Sequence, residues 1–170
     1  MKIQIIGYSG SGKSTFAKEL SNHYQIDPTY IDKIAWEQGW VFASDEKIKH
    51  ELESIIHQKD WIIDGNYSRF FGAERMQFAD HIFFFKFNRF RCLLNAIKRR
   101  KMYKNKTRES MTEGCPERLN FDFIMWILFK GRSKAHRKNY QEIVTNYQDK
   151  VTIFRNHKEV NKYLQSIDKK

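Results

Sequence analysis

Cysteine is scarce in this chain. Cys92 and Cys115 are its only two, with no CxxC pair and no Cys/His cluster around them. That excludes a disulfide scaffold and argues against a structural zinc site. The six histidines are scattered, with no pair at metal-ligand spacing. Proline is as rare, at two residues in 170, which argues against a disordered or linker-rich chain. Long hydrophobic runs are missing too. The longest, FIMWILF at 123–129, has seven residues, whereas a bilayer span needs about 20. It reads as a buried helix segment, and no membrane partner is expected. The first strand leads directly into a glycine-rich stretch, so no secretory signal is expected. A reducing cytoplasm is the simplest expected compartment. Acidic residues are also thin in one region: residues 86–110 hold ten Lys/Arg against Glu109 alone.

What the chain does have suits a soluble enzyme-sized domain. Its 170 residues predict one domain, 1–170, with one substantial core. Fourteen Phe and four Trp supply large apolar area. The net charge of +11 and the basic run at 86–110 seek anions such as nucleotide phosphates or nucleic acid.

Strand and helix patterns alternate. KIQII (2–6), PTYID (28–32), WIID (61–64), HIFFFKF (81–87) and VTIF (151–154) read as strands. Between them the pattern predicts a helix from Lys13 to His23 and one from Ser44 carrying Ile48, Leu52, Ile55 and Ile56. A third begins after Asn88, with Phe90, Leu93, Leu94 and Ile97 on its apolar face. A basic loop spans about 101–116, and a helical region with a weak point at Gly131 runs from Leu119 to Tyr147. The last helix carries Val160, Tyr163, Leu164 and Ile167. Five such alternations predict an α/β fold, a parallel sheet wrapped by helices on both faces.

The stretch GYSGSGKST (7–15) matches the Walker A P-loop pattern GxxxxGK[ST], with a strand before it and a helix after it. Glycines at 7, 10 and 12 let the backbone curl so that N–H groups, with those near Ser9, Ser11 and Thr15, face phosphate oxygens. The helix N-terminus adds its positive dipole end. Lys13 can reach the β- and γ-phosphates of ATP, and the Ser14 hydroxyl can ligate Mg²⁺. GTPase identity is disfavoured: after NKT (105–107) the Asp of the base-reading motif is missing. Asp64 closes an apolar strand where a Walker B carboxylate belongs and would hold Mg²⁺ through water; the competing reading is a turn-forming Asp-Gly. Asp32 ends the second strand at the ligand-facing edge, as a base for an acceptor hydroxyl or as a cap. Trp36 and Trp40 either wall an acceptor pocket or pack in the core. Asn66 and Arg69, in DGNYSR, are the polar candidates on the acceptor side. Arginines that close over a moving phosphoryl group stabilise its charge. The candidates are Arg99, Arg100, Arg108, Arg118, Arg132 and Arg137, with Arg100, Arg118, Arg132 and Arg137 assigned with Lys13 and Asp32 to the catalytic set. About half of the six would be a solvated basic face.

Together these motifs resemble the small adenylate-kinase-like P-loop proteins called DNA topology modulation proteins, of the FlaR type. GYSGSGKST, YIDKIAW followed by GW, WIIDGNYSR and GCPERLNFDF carry the resemblance, which covers nearly the whole chain. It implies a three-layer P-loop NTPase fold of the nucleoside-monophosphate-kinase type, with a mobile lid at about 101–118. It also implies ATP or a related nucleotide as ligand. The chain reads DGNYSR where true adenylate kinases read DGFPR, so AMP does not carry over as acceptor. The expected function is an ATP- and Mg²⁺-dependent kinase of a small acceptor, such as a nucleoside or nucleotide. The alternative is a nucleotide-gated, DNA-associated regulator of DNA topology. For a kinase, only weak, nonspecific nucleic-acid binding is expected, from charge alone. Neither the acceptor nor the oligomeric state follows from the sequence.

Overall fold

The computed structural model describes residues 1–104 and 106–168. Asn105, inside the basic loop and the NKT triplet, lies outside the described residues. The chain begins with β1 (Lys2–Gly7), α1 (Lys13–Tyr24), β2 (Pro28–Tyr30) and α2 (Ile31–Ala35). Two short strands, β3 (Trp36–Glu37) and β4 (Val41–Phe42), precede α3 (Asp45–Ile56) and β5 (Trp61–Asp64). Next come α4 (Gly72–Phe78), β6 (His81–Phe85) and α5 (Arg89–Met102). The chain ends with α6 (Phe121–Leu128), a 3₁₀ turn (Lys130–Arg132), α7 (Lys134–Asn146), β7 (Val151–Phe154) and α8 (His157–Ile167).

The five main strands form one parallel sheet in the order β2-β5-β1-β6-β7. β1 is central, and the chain crosses from one side of it to the other between β5 and β6. Loops that leave the carboxyl ends of strands beside such a switch point form the usual ligand crevice of open α/β sheets.

Alternation along β6 divides the core into two layers. Phe83 and Phe85 turn to one face, where both meet Phe16 of α1 and Phe154, and Phe83 also meets Tyr163 of α8. Phe84 turns to the other face and stacks on Tyr140 of α7 at 4.6 Å. Helices therefore cover both faces, as five strand-helix alternations predict. Each fully buried ring contributes about 1.5–3 kcal/mol by leaving water.

Three local expectations need correction. Asp32 does not end a strand: β2 stops at Tyr30, and Asp32 sits in the first turn of α2. Most of the apolar row expected on α5 points outward, with Phe90 64 % and Leu94 53 % exposed; Leu93 packs partly against the core, and the buried positions are Cys92 and Ala96. The reason is steric. A Cβ added to Gly10 would lie 2.4 Å from the Cys92 carbonyl oxygen, so the helix meets that loop too closely for Phe or Leu to stand between them. The helical region 119–147 does break at its expected weak point: α6 ends at Leu128, and the 3₁₀ turn through Gly131 intervenes before α7. The last correction is the β3/β4 hairpin, an antiparallel pair absent from the strand pattern. Two-residue strands carry no readable period, and their turn puts Gly39 and Trp40 at φ 81° and 67°.

Candidate functional site

The loop between β1 and α1 is shaped by its glycines. Gly7, Gly10 and Gly12 hold φ of 138°, 77° and 96°, a region that side chains resist. Gly7 also lies against Phe85, where a Cβ would fall 2.5 Å from its carbonyl oxygen. Gly10→Ala therefore adds left-handed strain to a clash with backbone. It should destabilise the fold by about 2 kcal/mol or more, measured by urea unfolding. An unchanged midpoint would show that the loop accommodates a side chain.

Other residues fasten this loop from outside. Asn66 clasps Gly7 at both ends of its amide: Oδ1 accepts from the Gly7 N–H at 2.9 Å and Nδ2 donates to the Gly7 carbonyl at 3.0 Å. Asn66 thus serves the loop, and its amide does not point freely to an acceptor. On the other side Asn95 Nδ2 donates to the Gly10 carbonyl at 2.9 Å and stands 3.3 Å from His157 Nε2. The sequence analysis assigned neither Asn95 nor His157, because each acts from a distant element with no motif around it.

Lys13 is half-buried and folds back over the loop, donating to the carbonyls of Gly7 at 3.0 Å and Tyr8 at 3.1 Å. Burial pushes its pKa down, while the nearby charges of Asp64 and Asp32 act upward. Ser14 donates to Asp64 Oδ2 at 2.6 Å. Asp64 is buried, and burial pushes its carboxyl pKa up against the pull of Lys13 and Ser14. Its second oxygen, Oδ1, is buried without a hydrogen-bond partner among the described residues, as is Ser11 Oγ. A buried carboxylate oxygen without a partner is costly unless something fills the gap. Ser9 is partly buried in the loop, and Thr15 is exposed on the first turn of α1, which no side chain caps.

Asp32 faces the same hollow. Its Oδ1 accepts from the Tyr67 hydroxyl at 2.9 Å, and its Oδ2 accepts from Arg108 Nη2 at 3.2 Å. Arg108 Nε stands 3.6 Å from Glu117 Oε2, and Arg99 Nε donates to Glu117 Oε1 at 2.7 Å. Glu117 is buried between these two arginines. The basic segment is thus turned inward at Arg99 and Arg108. It is also seated on α2 and the hairpin: Thr112 Oγ1 donates to the Lys33 carbonyl of α2, Cys115 Sγ to the Glu37 carbonyl, and the Gly39 N–H to the Gly114 carbonyl. Tyr67 and Glu117 are site residues that the sequence analysis did not assign. Glu117 is one of three acids, with Glu109 and Glu113, on the C-terminal flank of the basic run, and nothing local singles it out.

The remaining candidates are dispersed. Trp36 and Trp40 meet edge-to-face at 5.6 Å, and Phe42 meets Trp36 at 5.1 Å. They form an aromatic wall beside Tyr67 and Asp32, and Arg118 lies over Trp40 at 5.2 Å. Arg69 is exposed, paired with Asp45 at 3.1 Å and lying over Phe70. Arg132 lies over the Tyr8 ring at 3.6 Å and donates to the Phe87 and Ile127 carbonyls, so it ties the 3₁₀ turn to the loop. Arg100 is half-buried and Arg137 exposed; neither makes an ion pair among the described residues. The structure therefore gathers Lys13, Ser14, Asp64, Asp32, Trp36 and Trp40, and leaves Arg69, Arg100 and Arg137 outside the gathered set.

No protein-family model matches the chain, and no curated protein matches it. Among the described residues, no helix is long and apolar enough to cross a membrane. No group of three or more His, Cys, Asp or Glu side chains among them could hold a metal ion. A metal here would rest on the hydroxyl of Ser14 and the unpartnered oxygen of Asp64.

Proposed function

We propose that this chain is a P-loop phosphotransferase that moves a phosphoryl group from ATP to a small hydroxyl- or phosphate-bearing acceptor. One observation carries the reading. The Ser14–Asp64 pair holds a buried, unpartnered carboxylate oxygen beside Lys13, at the end of a loop that only glycines can form. A donor hydroxyl and an acidic oxygen so placed fit Mg²⁺, held by Ser14 and, through water, by Asp64. When bound, Mg²⁺ would offset charge on the phosphate oxygens.

The chain's own groups then divide the work. The backbone around Gly10 and Gly12 binds phosphate oxygens through N–H groups and the positive end of α1. Lys13 exchanges its two carbonyl partners for phosphate oxygens. Asp32 takes the proton of the acceptor hydroxyl. Arg108, with one N–H already on Asp32 and Nε buried without a hydrogen-bond partner, stabilises charge on the transferring group. The 106–118 segment, seated on the β3/β4 hairpin, excludes water. The inward turn of Arg99 and Arg108 favours this reading over the DNA-associated regulator, because it takes cations away from the outer face.

The test is ATP turnover against nucleosides, nucleotides and small hydroxyl compounds, with product mass measured. With a responsive acceptor, Asp32→Asn should lower kcat by about 10²–10⁴-fold and leave ATP affinity nearly unchanged. Wild-type activity in Asp32→Asn would remove the base from Asp32, and absence of any phosphorylated product would end the kinase reading.

A further inference from the structure

Asp32 is half-exposed on a five-residue helix, a weak support for a group that must aim at a hydroxyl. Its orientation comes from elsewhere. The Trp36 indole N–H lies 3.1 Å from the Tyr67 oxygen, and the same oxygen lies 2.9 Å from Asp32 Oδ1. The direction of this chain is fixed by chemistry. An indole nitrogen can only donate, so the Tyr67 oxygen accepts from Trp36. The single hydroxyl hydrogen of Tyr67 is then free for Asp32. Asp32 therefore receives a hydrogen on Oδ1 from Tyr67 and one on Oδ2 from Arg108. Both carboxyl oxygens of Asp32 are thereby held from two sides.

Tyr67 is itself held against strain. Its φ of 26° lies in the left-handed region, which a bulky residue occupies only when its surroundings over-determine it. Arg75, fully buried, donates to the carbonyls of Asn66 at 2.8 Å and Tyr67 at 3.0 Å. Phe42 and Phe70 flank the Tyr67 ring. Burial, with the charge of Asp32 second, pushes the phenol pKa well above its ordinary value, so the hydroxyl keeps its hydrogen. The charged groups facing this corner are Arg108 from the basic segment, with Glu117 and Arg99 behind it, and Lys13 and Asp64 across the hollow.

We infer that Tyr67 is a positioning residue: through the one-way chain from Trp36 it holds the Asp32 carboxyl aimed at the acceptor hydroxyl. This rests on the phosphotransferase reading for its catalytic meaning, but the hydrogen-bond chain can be tested without activity. The probe is the Trp36 indole N–H in a ¹H–¹⁵N spectrum of the full chain, assigned by its loss in Trp36→Phe. Tyr67→Phe should shift this signal and speed its exchange with solvent. Asp32→Ala should shift it as well, because the Tyr67 hydroxyl loses its acceptor and turns. In kinetics, Tyr67→Phe should lower kcat by about 10–10²-fold, the scale of a slightly misplaced group, with KM for ATP unchanged. A Trp36 signal that moves in neither variant, or moves in Tyr67→Phe but not in Asp32→Ala, overturns the inference. So does unchanged kcat in Tyr67→Phe where Asp32→Asn is impaired. If the wild type phosphorylates nothing, the phosphotransferase reading fails. The spectra still decide whether Tyr67 orients Asp32. Circular dichroism of Tyr67→Phe checks that the fold is kept.

Discussion

Lys13→Ala should reduce phosphoryl transfer by about 10³-fold or more and leave the fold in place. The lysine touches the Gly7–Ser14 loop from within, reaching the Gly7 and Tyr8 carbonyls at 3.0 and 3.1 Å. In transfer, negative charge develops on oxygens placed where those carbonyls now compete for the ammonium. A preorganised cation at such a place is worth several kcal/mol, and loss of even one neutral donor costs about 10²–10³-fold. The fold should tolerate the change. The side chain is half-buried, and burial pushes its pKa down, so the charged lysine does not rest in a comfortable site. Removing it relieves that desolvation and leaves Asp64 without its main cationic neighbour; these effects oppose each other. Thermal unfolding should move by only a few degrees while kcat collapses. Turnover near wild type would mean that the loop binds its phosphate without Lys13, and a collapsed fold would make the lysine structural.

The legible part of this protein was the part with a period or a spacing. The five parallel strands could be read because a strand buried on both faces is nearly all apolar, as in HIFFF of β6. The cap of α3 could be read because Ser44 precedes two acids, and the Ser44 hydroxyl does accept from the Lys47 N–H. Gly7, Gly10 and Gly12 could be read because their spacing encodes backbone angles. Relations between distant segments were not legible. Glu117 joins Arg99 and Arg108, and Tyr67 joins Trp36 to Asp32, across separations of 18, 31 and 35 residues. Nothing local marks such pairs. The misplaced face of α5 has the same cause. Its apolar row obeys the helical period, but the close approach of Gly10 to Cys92 decides which row faces in. Asp32 failed more simply: Tyr30 already has extended backbone before α2, so the strand yields to a helix one residue before the acid.

Arg75→Met should be the most destabilising single change in the chain, by about 3–5 kcal/mol. Arg75 is 0 % exposed in the middle of the core, and no carboxylate pairs with it among the described residues. Burial lowers its pKa to about 10, so at neutral pH it remains a cation. Its charge is met by oxygen dipoles alone. The guanidinium donates to the carbonyls of Phe70, Gly65, Asn66 and Tyr67 and to Gln4 Oε1, at 2.8 to 3.3 Å. Gln4 in turn donates to Ile63 and Gly65 of the neighbouring strand end. Methionine fills much of the volume, and the Gly65 and Tyr67 carbonyls keep the Gln4 amide and the Phe70 N–H, but the Phe70 and Asn66 carbonyls and Gln4 Oε1 lose the guanidinium, at about 1–3 kcal/mol for each that cannot find water. For a chain of this size each kcal/mol moves Tm by about 2–4 °C, so the variant should melt roughly 6–20 °C lower. Arg75→Lys should rescue little, because an ammonium is a point donor and cannot span a fork of carbonyls. The same segment carries Asn66 against Gly7 and Tyr67 against Asp32. Loosening it should also detach both sides of the site. Melting curves and the Trp36 indole signal of Arg75→Met read the two effects separately. A variant that melts like the wild type would show that the buried cation is dispensable. A variant that melts lower yet keeps the Trp36 signal would show that Arg75 supports the core without setting the position of Tyr67.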